Sequence, residues 1–361
     1  MPSFMQLNMF YPAYLRDFYA ARPKLRGMPW RAQVDALLDD GFSESHIFSR
    51  RLKAEGFETF QVAINDMASQ STWMRENGIL ATADTDFTGV ALMQIDRLKP
   101  DIIYTTDVTT LDSRALARLH HRPRVIAGWR GFPFVAGANL SSYDLILTSF
   151  DRIFTEARAL GAKAVERFHP GFAEDSPVAS AARIQEFDVV FSGSVTGHHT
   201  RRIALLNLLA EMSRAEGFSF GLFMPDAGML SPLAQSLNRP ARWGNDMLRT
   251  LRNAGMVINI DIDDFGNQPP NMRLIEATGA GAFLLTPEHP DLAAFFEPGV
   301  EVETFRTPQE LVAKIRYYLK DPAARQKIAD AGQARCLKDH SLAQRTPWFR
   351  NIMLRALERA A

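Results

Sequence analysis

The chain has 361 residues, 46% of them hydrophobic, with 41 basic side chains against 41 acidic and a single cysteine. That length exceeds what one hydrophobic core usually serves, so two domains are predicted. The balanced charge provides no global field for holding nucleic acid, and the lone Cys336 rules out an internal disulfide or a cysteine-built metal site, which fits a reducing cytoplasm.

From the start, Met1–Phe10 lacks the basic flank of a signal peptide, is interrupted by Gln6 and Asn8, and reads as a first strand. The apolar runs at 61–64, 101–104, 124–127 and 144–148, with helical patterns such as 45–54 and 111–119 between them, predict a parallel sheet covered by helices on both faces. A small-residue, Pro-containing stretch at 173–183 reads as a linker between a first domain at 1–172 and a second at 184–340. The second repeats the alternation, with strands expected at 188–192, 219–223, 256–260 and 282–285. The fold class is therefore α/β, two doubly wound Rossmann-like domains facing a cleft, with a helical tail at 341–361. No run of apolar residues reaches the length of a membrane span. Arg16, Arg22, Lys24, Arg26 and Arg31, interleaved with Tyr11, Tyr14, Phe18, Tyr19 and Trp30, form a basic and aromatic stretch that fits a solvated helix and loop, contact with an acidic glycan or peripheral contact with an anionic membrane.

Ligands of open parallel sheets sit beyond the carboxyl ends of the strands, so the loops after them carry the candidate sites. Asn271, Arg273 and Glu276 have spacings that one helical turn can aim at a single ligand, with Leu274, Ile275 and Ala277 as its apolar side. Gly279 and Gly281 then remove side chains where a helix must end and a strand begin. An ordinary helix-to-strand turn with a surface Arg–Glu pair would contain the same residues. In the 192–202 loop, Gly193, Ser194, His198, Arg201 and Arg202 precede a helix, an arrangement suited to clamping a diphosphate with amides and guanidinium charge, or equally to a glycine turn with exposed basic groups. Asn259, Asp261 and Asp263 follow another strand. The Asp261–Ile262–Asp263 triplet is one way to bind a divalent metal, but Asp84–Thr85–Asp86 shows how readily such triplets arise, and receipt of sugar hydroxyls is the alternative. Trp243, one helix before the strand at 256–260, is placed either to border the nucleotide base or to pack in the core. In the first domain, Asp107 and His46 are candidate catalytic groups, each equally readable as a residue at a helix start, and Trp129 with Arg130 closes a strand on the acceptor side.

The run Asn271–Thr286, followed by 301–312 and 315–319, resembles the C-terminal half of bacterial group-one glycosyltransferases of the GT-B fold, most closely the spore-maturation-protein-like group. In the group-one pattern a Glu is followed after seven residues by Glu-Ala and, three residues on, a Gly; the second Glu holds the ribose hydroxyls of a nucleotide sugar. Glu276, Ala277 and Gly281 match it, whereas Gln268 stands at the first Glu, so the donor-sugar role of that Glu does not carry over. The resemblance implies a glycosyltransferase that moves a sugar from a nucleotide diphosphate donor to a hydroxyl-bearing acceptor, without cofactor or metal. It makes the 192–202 loop the phosphate loop and sends the C-terminal helix back across the first domain. Retention of configuration is also implied, less firmly for want of the first Glu. A nucleotide-sugar epimerase and a non-catalytic two-domain sugar-binding protein are the alternatives.

Overall fold

The computed structural model describes residues 1–80, 82, 85–261 and 271–360; Asp84, Asp263 and Gln268 lie outside the described residues. These divide into two compact units, Met1–His169 with Arg345–Ala361, and Pro170–Gln344.

The first unit holds a six-stranded sheet, all parallel: β1 (Ser3–Asn8), β2 (Glu58–Ala63), β3 (Ile102–Thr105), β4 (Val125–Trp129), β5 (Leu145–Thr148) and β6 (Val165–Arg167), in the order β2-β1-β3-β4-β5-β6. Alternate residues face opposite sides. Met5, Leu7, Val62, Ile103, Ile126 and Ile146 build one core, while Phe4 and Tyr104 face an aromatic group on the other side. Its centre is Phe349, fully buried, stacked 4.1 Å from Phe48 and edge-on to Tyr104 and Phe168. Phe349 belongs to the last helix, Leu342–Arg359, which is thereby fixed to the first unit; Arg355 and Arg359 also pair with Glu166. The C-terminal helix does return to the first sheet.

The second unit repeats the plan with β7 (Phe187–Ser192), β8 (Phe220–Phe223), β9 (Asn238–Arg239), β10 (Ala254–Ile258), β11 (Leu284–Pro287) and β12 (Glu303–Phe305), again all parallel, in the order β12-β11-β10-β7-β8-β9. Val189, Phe191, Met256, Ile258 and Leu285 face one helical layer, and Val190, Val257 and Leu284 face the other. Both faces are covered, as the continuous apolar runs require. The stretch 173–183 packs on this unit, with Val178 fully buried against the second layer.

The sequence-derived strands are found within a few residues of their expected places, whereas β6, β9 and β12 were not anticipated. These edge strands are two or three residues long and carry no apolar run (Val-Glu-Arg, Asn-Arg, Glu-Thr-Phe). The helix expected at 45–54 is a 3-10 turn, Glu44–His46, followed by a separate helix, Ser49–Ala54; the one expected at 111–119 shortens to Ser113–Leu116.

Candidate active site

The helix Met272–Gly279 begins at the carboxyl edge of the second sheet. Asn271 caps it, its Oδ1 accepting from the Arg273 amide at 3.0 Å. It must end where it does because the chain turns sharply into β11. Gly281 has φ +80°, and a Cβ at Gly279 would come within 2.2 Å of the Phe172 ring.

Asn271 does more than cap. Its Nδ2 donates to Asn259 Oδ1 at 2.9 Å and to Asp261 Oδ1 at 3.0 Å. Asn259, buried past the end of β10, donates in turn to the Thr286 hydroxyl on β11 at 3.0 Å. The other oxygen of Asp261 lies 2.7 Å from Nε2 of His289, which follows β11. A chain of hydrogen bonds thus runs Thr286, Asn259, Asn271, Asp261, His289 across two adjacent strand ends and a helix start. His289 was not singled out from the sequence. It stands two residues beyond a strand, so the strand-end rule that selected the other loops applies to it as well.

One turn into the helix, Arg273 Nη1 pairs with Glu276 Oε2 at 2.9 Å, both side chains mostly buried. Arg273 also donates to the Ser192 carbonyl at the end of β7, 3.2 Å away, and reaches Met247 Sδ. The Arg–Glu pair is therefore tied to the loop that follows β7, not left on a solvated face.

That loop carries Gly193, whose amide donates to Phe223 O, and the exposed Ser194 and His198. The neighbouring His199 is buried, its Nδ1 accepting from the Thr196 amide at 3.0 Å. The two arginines that open the helix Thr200–Glu216 differ sharply. Arg202 is buried: Nε and Nη2 donate to Ile260 O at 3.0 and 2.5 Å, Nη1 donates to Ser194 O, and the guanidinium lies over Phe191. Its fork is spent on backbone carbonyls, bracing the Ser194 loop against the end of β10. Arg201 is exposed and makes a long contact to Arg306 O. Trp243 is half-buried at the N-cap of the helix Gly244–Arg252, which presents Met247 to Arg273.

In the first unit Asp107 closes the turn after β3: Oδ1 accepts from the Thr109 and Thr110 amides at 2.9 and 3.1 Å and Oδ2 from the Thr110 hydroxyl at 2.6 Å. Arg130, after β4, donates to Thr109 Oγ1 and to the carbonyls of Phe132 and Pro133, with Phe134 beneath it. His46 ends the 3-10 turn, with its ring 4.2 Å from that of Trp129. Burial pushes the His46 pKa down to about 3, and neither its Nδ1 nor the Trp129 indole nitrogen has a hydrogen-bond partner among the described residues. The imidazole is neutral across the usual working range. The structure thus brings Asn259, Asp261, Asn271, Arg273 and Glu276 together in one unit, and Asp107 with Arg130, and His46 with Trp129, in the other.

Among the described residues no helix is long and apolar enough to cross a membrane, and no group of three or more His, Cys, Asp or Glu has the arrangement of a metal site. Residues 201–351 match the family model described as Glycosyl transferase-like. No curated protein matches the chain. Among solved structures, a glycosyltransferase from Rickettsia africae superposes with a TM-score of 0.59 at 11% identity over 99% of both chains. HepE of Anabaena, in complex with UDP-glucose, gives 0.58 at 12% over 97% of this chain and 99% of its own. The sucrose-phosphate synthase of Thermosynechococcus elongatus gives 0.57 at 10% over 99% of this chain and 100% of its own. At such identities these likenesses speak for the fold, and the family match adds the class of chemistry: the chain is a glycosyltransferase built on the GT-B fold.

Proposed function

We propose that the second unit binds a nucleotide diphosphate sugar and that the enzyme transfers the sugar to a hydroxyl of an acceptor held by the first unit, in the manner of the spore-maturation-protein-like group. The observation that carries this reading is the Asn271–Arg273–Glu276 helix start, tied by hydrogen bonds to the ends of β7 and β10. Glu276 would accept from the ribose hydroxyls, its carboxylate oriented by Arg273. The diphosphate would lie towards the loop of Gly193, Ser194 and His198, where the amides that open the helix Thr200–Glu216 and the Arg201 guanidinium would meet it.

In the transfer the bond from the anomeric carbon to the diphosphate oxygen breaks and a bond to the acceptor oxygen forms. The diphosphate departs with the electron pair, and the acceptor hydroxyl gives up its proton. Donors of that loop would stabilise the growing charge on the departing oxygens, and the step as written calls for neither cofactor nor metal. Of the two first-unit candidates for the proton, Asp107 is the better. Its Oδ2 accepts one hydrogen bond and keeps a lone pair, whereas a ring as weakly basic as buried His46 is a poor acceptor. Trp129 and Arg130 flank them as acceptor-side groups.

A panel of nucleotide sugars, screened by thermal stabilisation, finds the donor. Release of nucleoside diphosphate is then followed with and without candidate acceptors. Release that depends on acceptor is expected. Interconversion of the donor sugar without acceptor would make the protein an epimerase, and binding without turnover a sugar-binding protein. Glu276→Ala should weaken the donor by roughly 2 to 5 kcal/mol, the worth of two charge-assisted hydrogen bonds, in a protein that still folds. Unchanged affinity would remove the ribose assignment.

A further inference from the structure

We infer that Asp261 and His289 form a hydroxyl-reading pair that selects donors whose transferred sugar presents adjacent free hydroxyls. The inference rests on the donor site proposed above. Asp261 is held on both sides, Oδ1 by Asn271 and Oδ2 by His289, so its carboxylate stands in one orientation before any ligand arrives. Their side chains keep 24% and 16% of their surface, enough for a ligand to reach them. Among the described residues the His289 Nδ1 has no hydrogen-bond partner.

Charge decides what this pair can hold. A carboxylate repels phosphate, so the anionic part of a donor is directed away from Asp261, towards Arg273 and the loop after β7. A sugar hydroxyl, which both donates and accepts, suits the pair. It donates to the carboxylate, and it either donates to or accepts from Nδ1 according to whether that nitrogen carries a proton, while Nε2 donates to Asp261. The order of strands gives the donor a direction. His289 follows β11, Asp261 follows β10 and Gly193 follows β7, three neighbours in the sheet, so a donor lying across the strand ends has its sugar over β10 and β11 and its diphosphate over β7.

The test is calorimetric titration of uridine diphosphate, uridine-diphosphate glucose and its monodeoxy forms, with the guanosine and adenosine counterparts of the first two, into wild type, His289→Ala, His289→Gln and Asp261→Asn. In wild type at least one monodeoxy donor should bind about tenfold or more weakly than its parent, since a site built around a hydroxyl strongly rejects the analogue lacking it. His289→Ala and Asp261→Asn should erase that difference while binding the bare diphosphate within about twofold of wild type, and His289→Gln should restore part of it. Variants that keep wild-type discrimination, or that lose diphosphate and sugar conjugate in equal proportion, overturn the pair as a reader and leave it a brace for the helix start. A wild type that binds no nucleoside diphosphate removes the donor site itself, and this inference with it.

Discussion

Each unit strings buried polar side chains across the carboxyl ends of its strands, but the two strings end differently. In the first, Ser49 Oγ donates to Gln61 Oε1, Gln61 Nε2 to Asn8 Oδ1, and Asn8 Nδ2 to Thr106 Oγ1, at 2.8, 2.7 and 3.2 Å. Ser49, Gln61 and Asn8 are all buried, and every member is uncharged. In the second, the string from Thr286 through Asn259 and Asn271 comes out at Asp261 and His289, two ionisable groups that a ligand can reach. The same device is closed in one sheet and open in the other. A closed, satisfied network fixes a core; an open one holds chemistry in position at an edge. The proposed donor side is accordingly organised by its own unit, whereas the acceptor-side candidates Asp107 and Arg130 mostly bond back to their own turns.

The strongest test of the second unit's organisation is Arg202, which ties the Ser194 loop to the Ile260 carbonyl from a buried position. Arg202→Ala strands two carbonyls that now accept from a charged donor and should lower stability by about 4 kcal/mol. Arg201→Ala should change it by less than about 0.5 kcal/mol, as exposed substitutions usually do. Chemical denaturation of both variants reads the contrast; equal stabilities would mean that the brace is not structural.

Next in size is Asn8. Replacing it by Ala leaves Gln61 and Thr106 without their partner and should cost about 3 kcal/mol, with donor affinity untouched. Asn271→Ala should do the reverse. Loss of the cap costs only about 1 kcal/mol of stability, but Asp261 and the helix start lose their common anchor and donor affinity falls severalfold. If Asn8→Ala weakens donor binding as much as Asn271→Ala does, the distinction between closed and open strings is lost.

What was legible in the sequence follows from the range of each interaction. The central strands are apolar runs and could be read directly, as could the turn at Gly279 and Gly281, because both depend on neighbours in the chain. The distinction between Arg201 and Arg202 was available too. Arg202 shares the i, i+3, i+4, i+7 spacing of the buried Leu205, Leu206 and Leu209, which puts it on the inner face of its helix. The partnership of Asp261 with His289 was not legible. The two are 28 residues apart, and only the adjacency of β10 and β11 brings them together. The edge strands escaped because backbone pairing, rather than side-chain pattern, makes them strands.

The smallest expected effect separates burial from catalysis at His46. Its folded pKa, about 3, lies below the ordinary value of 6.5 because burial disfavours the charged ring. Between those two values the unfolded chain binds a proton that the folded chain refuses, so stability present above pH 6.5 is lost as the pH falls towards 3. Each unit of pH within that window is worth at most about 1.4 kcal/mol, so the loss between pH 7 and 5.5 is about 1 kcal/mol. His46→Gln cannot titrate and should show a pH dependence of stability shallower by that amount, measured by denaturation at the two values. Its turnover should keep the wild-type pH profile, since a ring that stays neutral throughout cannot supply a limb of that profile. Should His46→Gln instead remove one limb of the profile and leave the stability curve unchanged, the imidazole titrates in the folded enzyme. The first unit's edge would then be as open to chemistry as the second's.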